Sequence, residues 1–191
     1  MITAALFGGS FNPPHVAHAL VGLYVLETQP VDELWLVPTY RHAFAKGREL
    51  VAYDHRVAMC ERLAAALGPR ARVSRVEEEV AAARGGESRT LYTLEHLAAV
   101  APERRFRVVV GADILHEAAA WLGWDEVCRR APPIVIGRGG VDAPPGATVT
   151  EVTMPAISST EVRRRLAARE AVGDLLPAAV LRYIDERDLY R

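Results

Sequence analysis

Ile2-Thr-Ala-Ala-Leu-Phe-Gly-Gly-Ser-Phe-Asn-Pro-Pro-His-Val-Ala-His18 frames the whole chain. It opens as a short apolar run, the pattern of a buried strand rather than of one that alternates. Gly8-Gly9 ends the strand and lets the backbone come close to a ligand. Pro13 and Pro14 stiffen the loop and fit only at the first turn of the helix that restarts at His15. The unit is therefore a strand, a tight loop and a helix entry. It delivers Ser10, His15 and His18 to a helix start, where free N–H groups favour anions. Two readings stand side by side: a phosphate or nucleotide site, and an ordinary strand-to-helix turn without a ligand. His15 and His18, three residues apart, face the same side of the first turn, which favours the first reading. They also form half of a metal set, but no Cys or acidic partner stands at a familiar spacing, so zinc is not expected.

A chain of 191 residues suits a single domain, residues 1–191, with enough bulk for a core. Half of it is apolar (50%) and a quarter charged (25%), as in ordinary globular proteins. A net charge of −1 provides no global basic field for nucleic acid. Cys60 and Cys128 lack CxxC spacing and fall in helical patterns, so they read as reduced, buried thiols of a cytoplasmic protein. The first residues run directly into a strand with no signal-like segment, and no apolar run is long enough to span a bilayer, so no membrane partner is expected.

Outward from the first unit, the spacing predicts a helix over His15–Thr28 and a second strand over Val31–Val37, ended by Pro38. The loop from Thr39 to Tyr53 carries Arg41, His42, Lys46 and Arg48 away from a strand's C-terminal edge, where open α/β sheets bind ligands. For each of these cations a solvated surface role is the alternative. Asp54 is placed as the cap of a helix over His55–Leu67, and Arg72–Val76 as a third strand. Glu77-Glu78-Glu79 reads as a solvated charge run, and Ala81–Ser88 as a loop. Ser88 or Thr90 opens the next helix. Phe106–Val110 is the strongest strand and ends in Gly111-Ala112-Asp113, a close-approach glycine followed by a carboxylate suited to a ribose hydroxyl or a metal. Trp121 and Trp124 follow. Pro133–Gly137 and Ala147–Val152 make the last two strands, and helices over Ser159–Ala168 and Pro177–Arg187 finish the chain. Strands and helices alternate without a linker. The fold class is α/β, one doubly wound parallel sheet with C-terminal helices.

The stretch Gly8-Gly9-Ser10-Phe11-Asn12-Pro13-Pro14-His15-Val16-Ala17-His18 resembles the first signature of the nucleotidylyltransferase superfamily, in its nicotinate/nicotinamide mononucleotide adenylyltransferase form. Ala17 stands where that family usually has Gly. Gly86-Glu87-Ser88-Arg89-Thr90-Leu91-Tyr92-Thr93-Leu94 resembles the family's Ser-Tyr-Thr-Ile-Asp-Thr-Leu segment, with Tyr92 in the place of Asp. Ile157-Ser158-Ser159-Thr160 with Arg163 is similar to the superfamily's second signature, Ile-Ser-Ser-Thr-x-x-Arg, at every fixed position. Read from the residues alone, Ser158 or Ser159 with Glu161 is a capping pattern.

The resemblance spans Leu6 to Arg163 and implies a Rossmann-like nucleotidylyltransferase fold. It implies ATP contacts from Gly8, Gly9, Ser10, Phe11, Ile157, Ser158, Ser159 and Thr160. Mononucleotide contacts are implied from Thr90, Gly111, Asp113 and Trp121, the indole facing the pyridine ring. His15, His18, Lys46 and Arg163 become the catalytic donors, with Arg41 the alternative to Lys46. Substrates are then ATP, with Mg²⁺, and a pyridine mononucleotide; the product is a dinucleotide of NAD biosynthesis. Two rivals remain: a sister transferase acting on phosphopantetheine or an alcohol phosphate, and a catalytically weak nucleotide-binding protein. Helix faces do not reveal a symmetric interface, so a homo-oligomer stays open.

Overall fold

A computed structural model describes residues 1–41, 50–112, 115, 121–137 and 143–191. Six strands form one sheet in the order β3-β2-β1-β4-β5-β6. They are β1 (Ile2–Gly9), β2 (Glu33–Pro38), β3 (Ala71–Val73), β4 (Arg104–Gly111), β5 (Ile134–Ile136) and β6 (Thr148–Val149). Every pairing is parallel. The described helices are α1 (Val16–Thr28), α2 (Tyr53–Leu67), α3 (Val76–Arg84), α4 (Thr90–Val100), α5 (Trp124–Arg130), α6 (Ser159–Ala167) and α7 (Ala178–Glu186). From β1 the chain builds outward through β2 and β3, then returns to place β4 on the other side of β1. That reversal makes the crevice beyond the C-terminal ends of β1 and β4 the place for a ligand. Phe7 stands opposite Val109, so two residues further along both strands end in glycine, Gly9 and Gly111.

Both sheet faces are covered, as the unalternating apolar strands require. Leu6, Trp35, Val37, Val108 and Val110 pack on one face under Val76 and Val80 of α3, Leu94 and Leu97 of α4 and Val127 of α5. Ala5, Leu34, Leu36, Val109 and Ile134 pack on the other under Val25 and Leu26 of α1 and Cys60, Leu63 and Ala64 of α2. A third cluster ties α6 and α7 to the outside of α2 through Met59, Val162, Leu166, Val180, Tyr183 and Ile184. Cys60 and Cys128 are buried and unpaired in α2 and α5.

Several expected boundaries move. The third strand ends at Val73, and Val76–Arg84 is helix rather than strand, charge run and loop. The three glutamates form its first turn, where carboxylates suit the helix dipole, and the alanines behind them favour helix. Glu77 is not a solvated charge: its carboxylate accepts the Tyr40 N–H at 2.8 Å, and burial raises its pKa. The cap of α2 is Ala52, and Asp54 instead pairs with Arg75 at 2.8 Å. The sixth strand shrinks from Ala147–Val152 to Thr148–Val149, as an edge strand with a single neighbour can.

The loops at the sheet's C-terminal edge are joined by Arg56, an α2 side chain that is 2% exposed. Its guanidinium donates to the carbonyls of Ser10 (3.0 Å), Thr39 (2.7 Å) and Val51 (3.2 Å). These acceptors belong to the loop after β1, the end of β2 and the approach to α2. Desolvation lowers the Arg56 pKa, but a guanidinium does not give up its proton inside a protein, so the charge persists. Arg56→Ala strands these carbonyls away from water, so the expected loss is about 3 kcal/mol. It is read as a lower urea midpoint at unchanged slope.

Candidate active site

Gly8 is exposed although it lies in the strand whose centre, Ala4 to Leu6, is buried. A Cβ built there would have nothing within 4 Å, so the strand end opens onto free space. Phe11, next along the loop, takes a left-handed φ of 45° and turns its ring inward, where it is 1% exposed. That ring meets Phe7 edge-on at 5.6 Å and the His18 ring at 5.0 Å. What Phe11 can offer a ligand is its main chain, not the side chain. The loop passes through a cis Asn12-Pro13 bond and enters α1 at His15, which is the N-cap rather than the first helical residue. Ala17 is itself buried at 8% exposure, so protein covers its methyl group.

The two histidine rings lie 3.8 Å apart at an interplanar angle of 31°. His15 is buried and His18 is partly exposed. The His15 backbone N–H donates to His18 Nδ1 at 3.1 Å. An accepting Nδ1 on a neutral ring leaves the proton on Nε2, so His18 presents Nε2–H as a donor. Desolvation lowers the His15 pKa to about 4. Desolvation, then the neighbouring His15 charge, holds that of His18 well below its ordinary value. Both rings are therefore neutral at pH 7.

The start of α6 approaches the same loop from the far end of the chain. Ser158 caps the helix by accepting the Glu161 N–H at 3.2 Å. Ser159 Oγ donates to the Pro13 carbonyl at 2.9 Å, and Arg163 Nη1 donates to the Asn12 carbonyl at 2.7 Å. Arg163 Nη2 also reaches Thr160 Oγ1 at 3.4 Å. The hydroxyl-rich helix start and its arginine are thus fastened beside the β1–α1 loop. Arg164 and Arg165 turn away to pair with Glu161, and Arg164 also with Glu170. Ile157 packs against the third apolar cluster.

On the other sheet face, Thr90 is the first residue of α4, after the N-cap Arg89. The approach to α4 is tied to the β2 loop: Ser88 accepts the Arg41 N–H at 3.0 Å and returns its own N–H to the Arg41 carbonyl at 2.9 Å. Trp121 lies edge-on to Trp124 at 5.2 Å, part-buried against the same cluster as Leu91. Gly123, at φ 62°, abuts Leu91 so closely that a Cβ would stand 2.7 Å from its Cδ2. The Thr90 and Trp121 segments are therefore neighbours. Gly111 closes β4 between the two halves. Lys46 and Asp113 lie outside the described residues. Among the described residues no group of three His, Cys, Asp or Glu could hold a metal ion.

Sequence reasoning passed over Arg56 and Asn12. Asn12 is fully buried, and its Oδ1 accepts the Val51 N–H at 3.3 Å and the Tyr190 hydroxyl at 2.8 Å. A polar residue between a glycine turn and a proline was the available signal for Asn12. For Arg56 it was a cation on the apolar face of a helix.

The cytidylyltransferase-like family model matches residues 6–165. A protein of Anaeromyxobacter sp. (strain K), described as a probable nicotinate-nucleotide adenylyltransferase, is 50% identical over 187 residues, covering 98% of this chain and 96% of its own. One of the same description from Myxococcus xanthus is 39% identical, covering 99% and 95%. The structure of Plasmodium falciparum nicotinic acid mononucleotide adenylyltransferase complexed with NaAD superposes with a TM-score of 0.79 at 19% identity, covering 100% of this chain and 98% of that one. At that identity the likeness shows the fold.

The desolvated histidines give stability a definite pH dependence. In the unfolded chain His15 protonates near pH 6.5, whereas in the fold it stays neutral down to about 4. The unfolded state then binds more protons in that window, so stability is full above 6.5 and falls as pH drops toward 4. The urea midpoint is expected to decline over that range, and His15→Gln to flatten the decline. An unchanged slope in His15→Gln would remove His15 as its source.

Proposed function

The chain belongs to the cytidylyltransferase-like family, and we propose that it transfers the adenylyl group of ATP to nicotinate mononucleotide in NAD biosynthesis. A phosphate oxygen of the mononucleotide attacks the α-phosphorus, the bond from that phosphorus to the bridging oxygen breaks, and pyrophosphate leaves. The observation that carries this reading is the convergence of two anion-seeking helix starts. The entry of α1 and the start of α6 are joined by Arg163 to Asn12 and Ser159 to Pro13, beside the open edge at Gly8. The second half-site, Thr90 and Trp121, lies on the opposite sheet face, so the two substrates meet over Gly9 and Gly111. The acceptor is read as nicotinate because the relatives at 50% and 39% identity bear that name.

The attacking phosphate has a second pKa of about 6, so it is already deprotonated at neutral pH and needs no general base. Neutral histidines fit this chemistry. His18 Nε2–H is a hydrogen-bond donor for a phosphate oxygen, and His15 holds it in that tautomer through its backbone N–H. Arg163 and the N–H groups opening α6 stabilise charge on the triphosphate. Lys46, or Arg41, supplies a further cation from the β2 loop. Ser10, Ser158 and Thr160 complete the phosphate contacts, and Trp121 stacks on the pyridine ring. Catalysis is then positioning and charge stabilisation, without a covalent intermediate. Mg²⁺ enters as part of the ATP substrate and neutralises phosphate charge, in keeping with its preference for phosphate oxygens and water. The buried, unpaired Cys60 and Cys128 support a reducing, cytoplasmic setting.

Pyrophosphate release from Mg²⁺-ATP, with nicotinate mononucleotide, nicotinamide mononucleotide and phosphopantetheine compared, tests the reading. Fastest release with nicotinate mononucleotide is expected; silence with all three from protein that binds ATP would overturn it. His18→Ala is expected to lower kcat about 100-fold, comparable to loss of one transition-state donor. Gly8→Val separates space from stability. Its side chain enters open space, so the melting temperature should hold while turnover falls, and normal turnover would take Gly8 out of the site.

A further inference from the structure

The last residues of the chain run back to the loop that forms the ATP site. Beyond α7, Leu189 N–H donates to the Ile184 carbonyl at 3.0 Å, and Leu189 and Tyr190 pack on the third apolar cluster. Asp188 and Tyr190 both take left-handed backbone conformations, φ 50° and 66°. Residues other than glycine rarely adopt these and keep them only when surrounding contacts hold them. The contacts are present. Arg191 pairs with Asp185 and, at 3.6 Å, with Asp188. These turns bring the Tyr190 hydroxyl within 2.8 Å of Asn12 Oδ1, across 178 residues of sequence.

Asn12 has no exposed surface, and its two oxygens face different tasks. The side-chain oxygen takes Tyr190 and the Val51 N–H; the main-chain oxygen takes Arg163 Nη1 at 2.7 Å. A shift of Asn12 therefore moves the acceptor that aims the Arg163 guanidinium. Burial raises the Tyr190 pKa against the opposing charges of Arg163 and Arg56, so its phenol stays a protonated donor.

We infer that Tyr190 is a positioning residue: from the end of the chain its hydroxyl holds Asn12, and through the Asn12 carbonyl it sets the orientation of Arg163 toward the triphosphate. The inference rests on the ATP site proposed above. Tyr190 need touch neither substrate. A hydroxyl removed there alters ATP binding while leaving the mononucleotide half of the site, on the other sheet face, unchanged.

Calorimetric titration of Mg²⁺-ATP into wild type, Tyr190→Phe, Arg163→Ala and the double variant tests this as a cycle. Tyr190→Phe should weaken ATP binding by about tenfold in the wild-type background and less than about twofold when Arg163 is already absent. Wild-type affinity in Tyr190→Phe, or the same loss in both backgrounds, would overturn the proposal, the latter marking a merely structural role. The KM for nicotinate mononucleotide should stay unchanged in Tyr190→Phe. If that variant does not fold, Arg191→Ala loosens the same tail without touching the phenol. It too should weaken ATP binding only where Arg163 is present, and wild-type affinity there would overturn the proposal. Wild-type turnover, measured alongside, judges the acceptor separately. Its absence with intact ATP binding would remove nicotinate mononucleotide and leave the Tyr190 comparison standing.

Discussion

One reversal of strand order governs where everything else must sit. A parallel sheet sends all its C-terminal ends to one edge, and its loops diverge only where the winding changes direction. Here that point lies between β1 and β4. The loop after β1 crosses toward the α1–α2 face, and the segment after β4 leads toward the face that carries α4 and α5. The edge between them, where β1 and β4 end in Gly9 and Gly111, is where a doubly wound sheet leaves room for a ligand. A reaction that joins two nucleotides needs such room, because each substrate can be held by a separate face while the reacting phosphates share the edge.

The edge must also be kept rigid, and it is made of loops. Loops carry backbone carbonyls that no ladder satisfies, and buried ones need partners. Arginine serves them well, since its guanidinium presents several fixed donors and does not lose its charge. Arg56 gathers three carbonyls from separate segments, and Arg163 takes the carbonyl of Asn12. The two differ in what remains. Arg56 is 2% exposed and fully committed to protein, whereas Arg163 keeps partial exposure beside the helix start it belongs to. The first is scaffold, and the second can both fasten the loop and meet an anion.

Much of this was legible before the structure. The Gly8-Gly9 break, the prolines and the apolar runs specify strand, loop and helix locally, and both signatures fall where the fold brings them together. What was not legible depends on distant partners. Val76–Arg84 looked like strand, charge run and loop because three adjacent glutamates read as solvated; one of them, Glu77, is held by the Tyr40 N–H, from a different crossover. Phe11 stands in the signature with its ring in the core, so what it can give a ligand is its main chain, a distinction its place in the motif does not reveal. Asn12 showed only as a turn residue, and its tie to Tyr190 cannot be read locally at a separation of 178 residues. Periodicity reports which face is buried; it does not report which polar group a buried carbonyl will find.

The histidines show how the fold settles a chemical choice that the motif leaves open. A pair at this spacing could act as bases, ligands or donors. Burial disfavours the charged form of both rings, and their 3.8 Å separation makes two positive charges costlier still. Ring neutrality alone leaves two tautomers for His18. The His15 N–H selects one by donating to Nδ1, because a protonated Nδ1 could not accept it. The remaining proton then sits on Nε2, as a donor that carries no net charge. A helix N-cap, usually the place for a side chain that satisfies backbone, here uses backbone to fix the proton on a side chain.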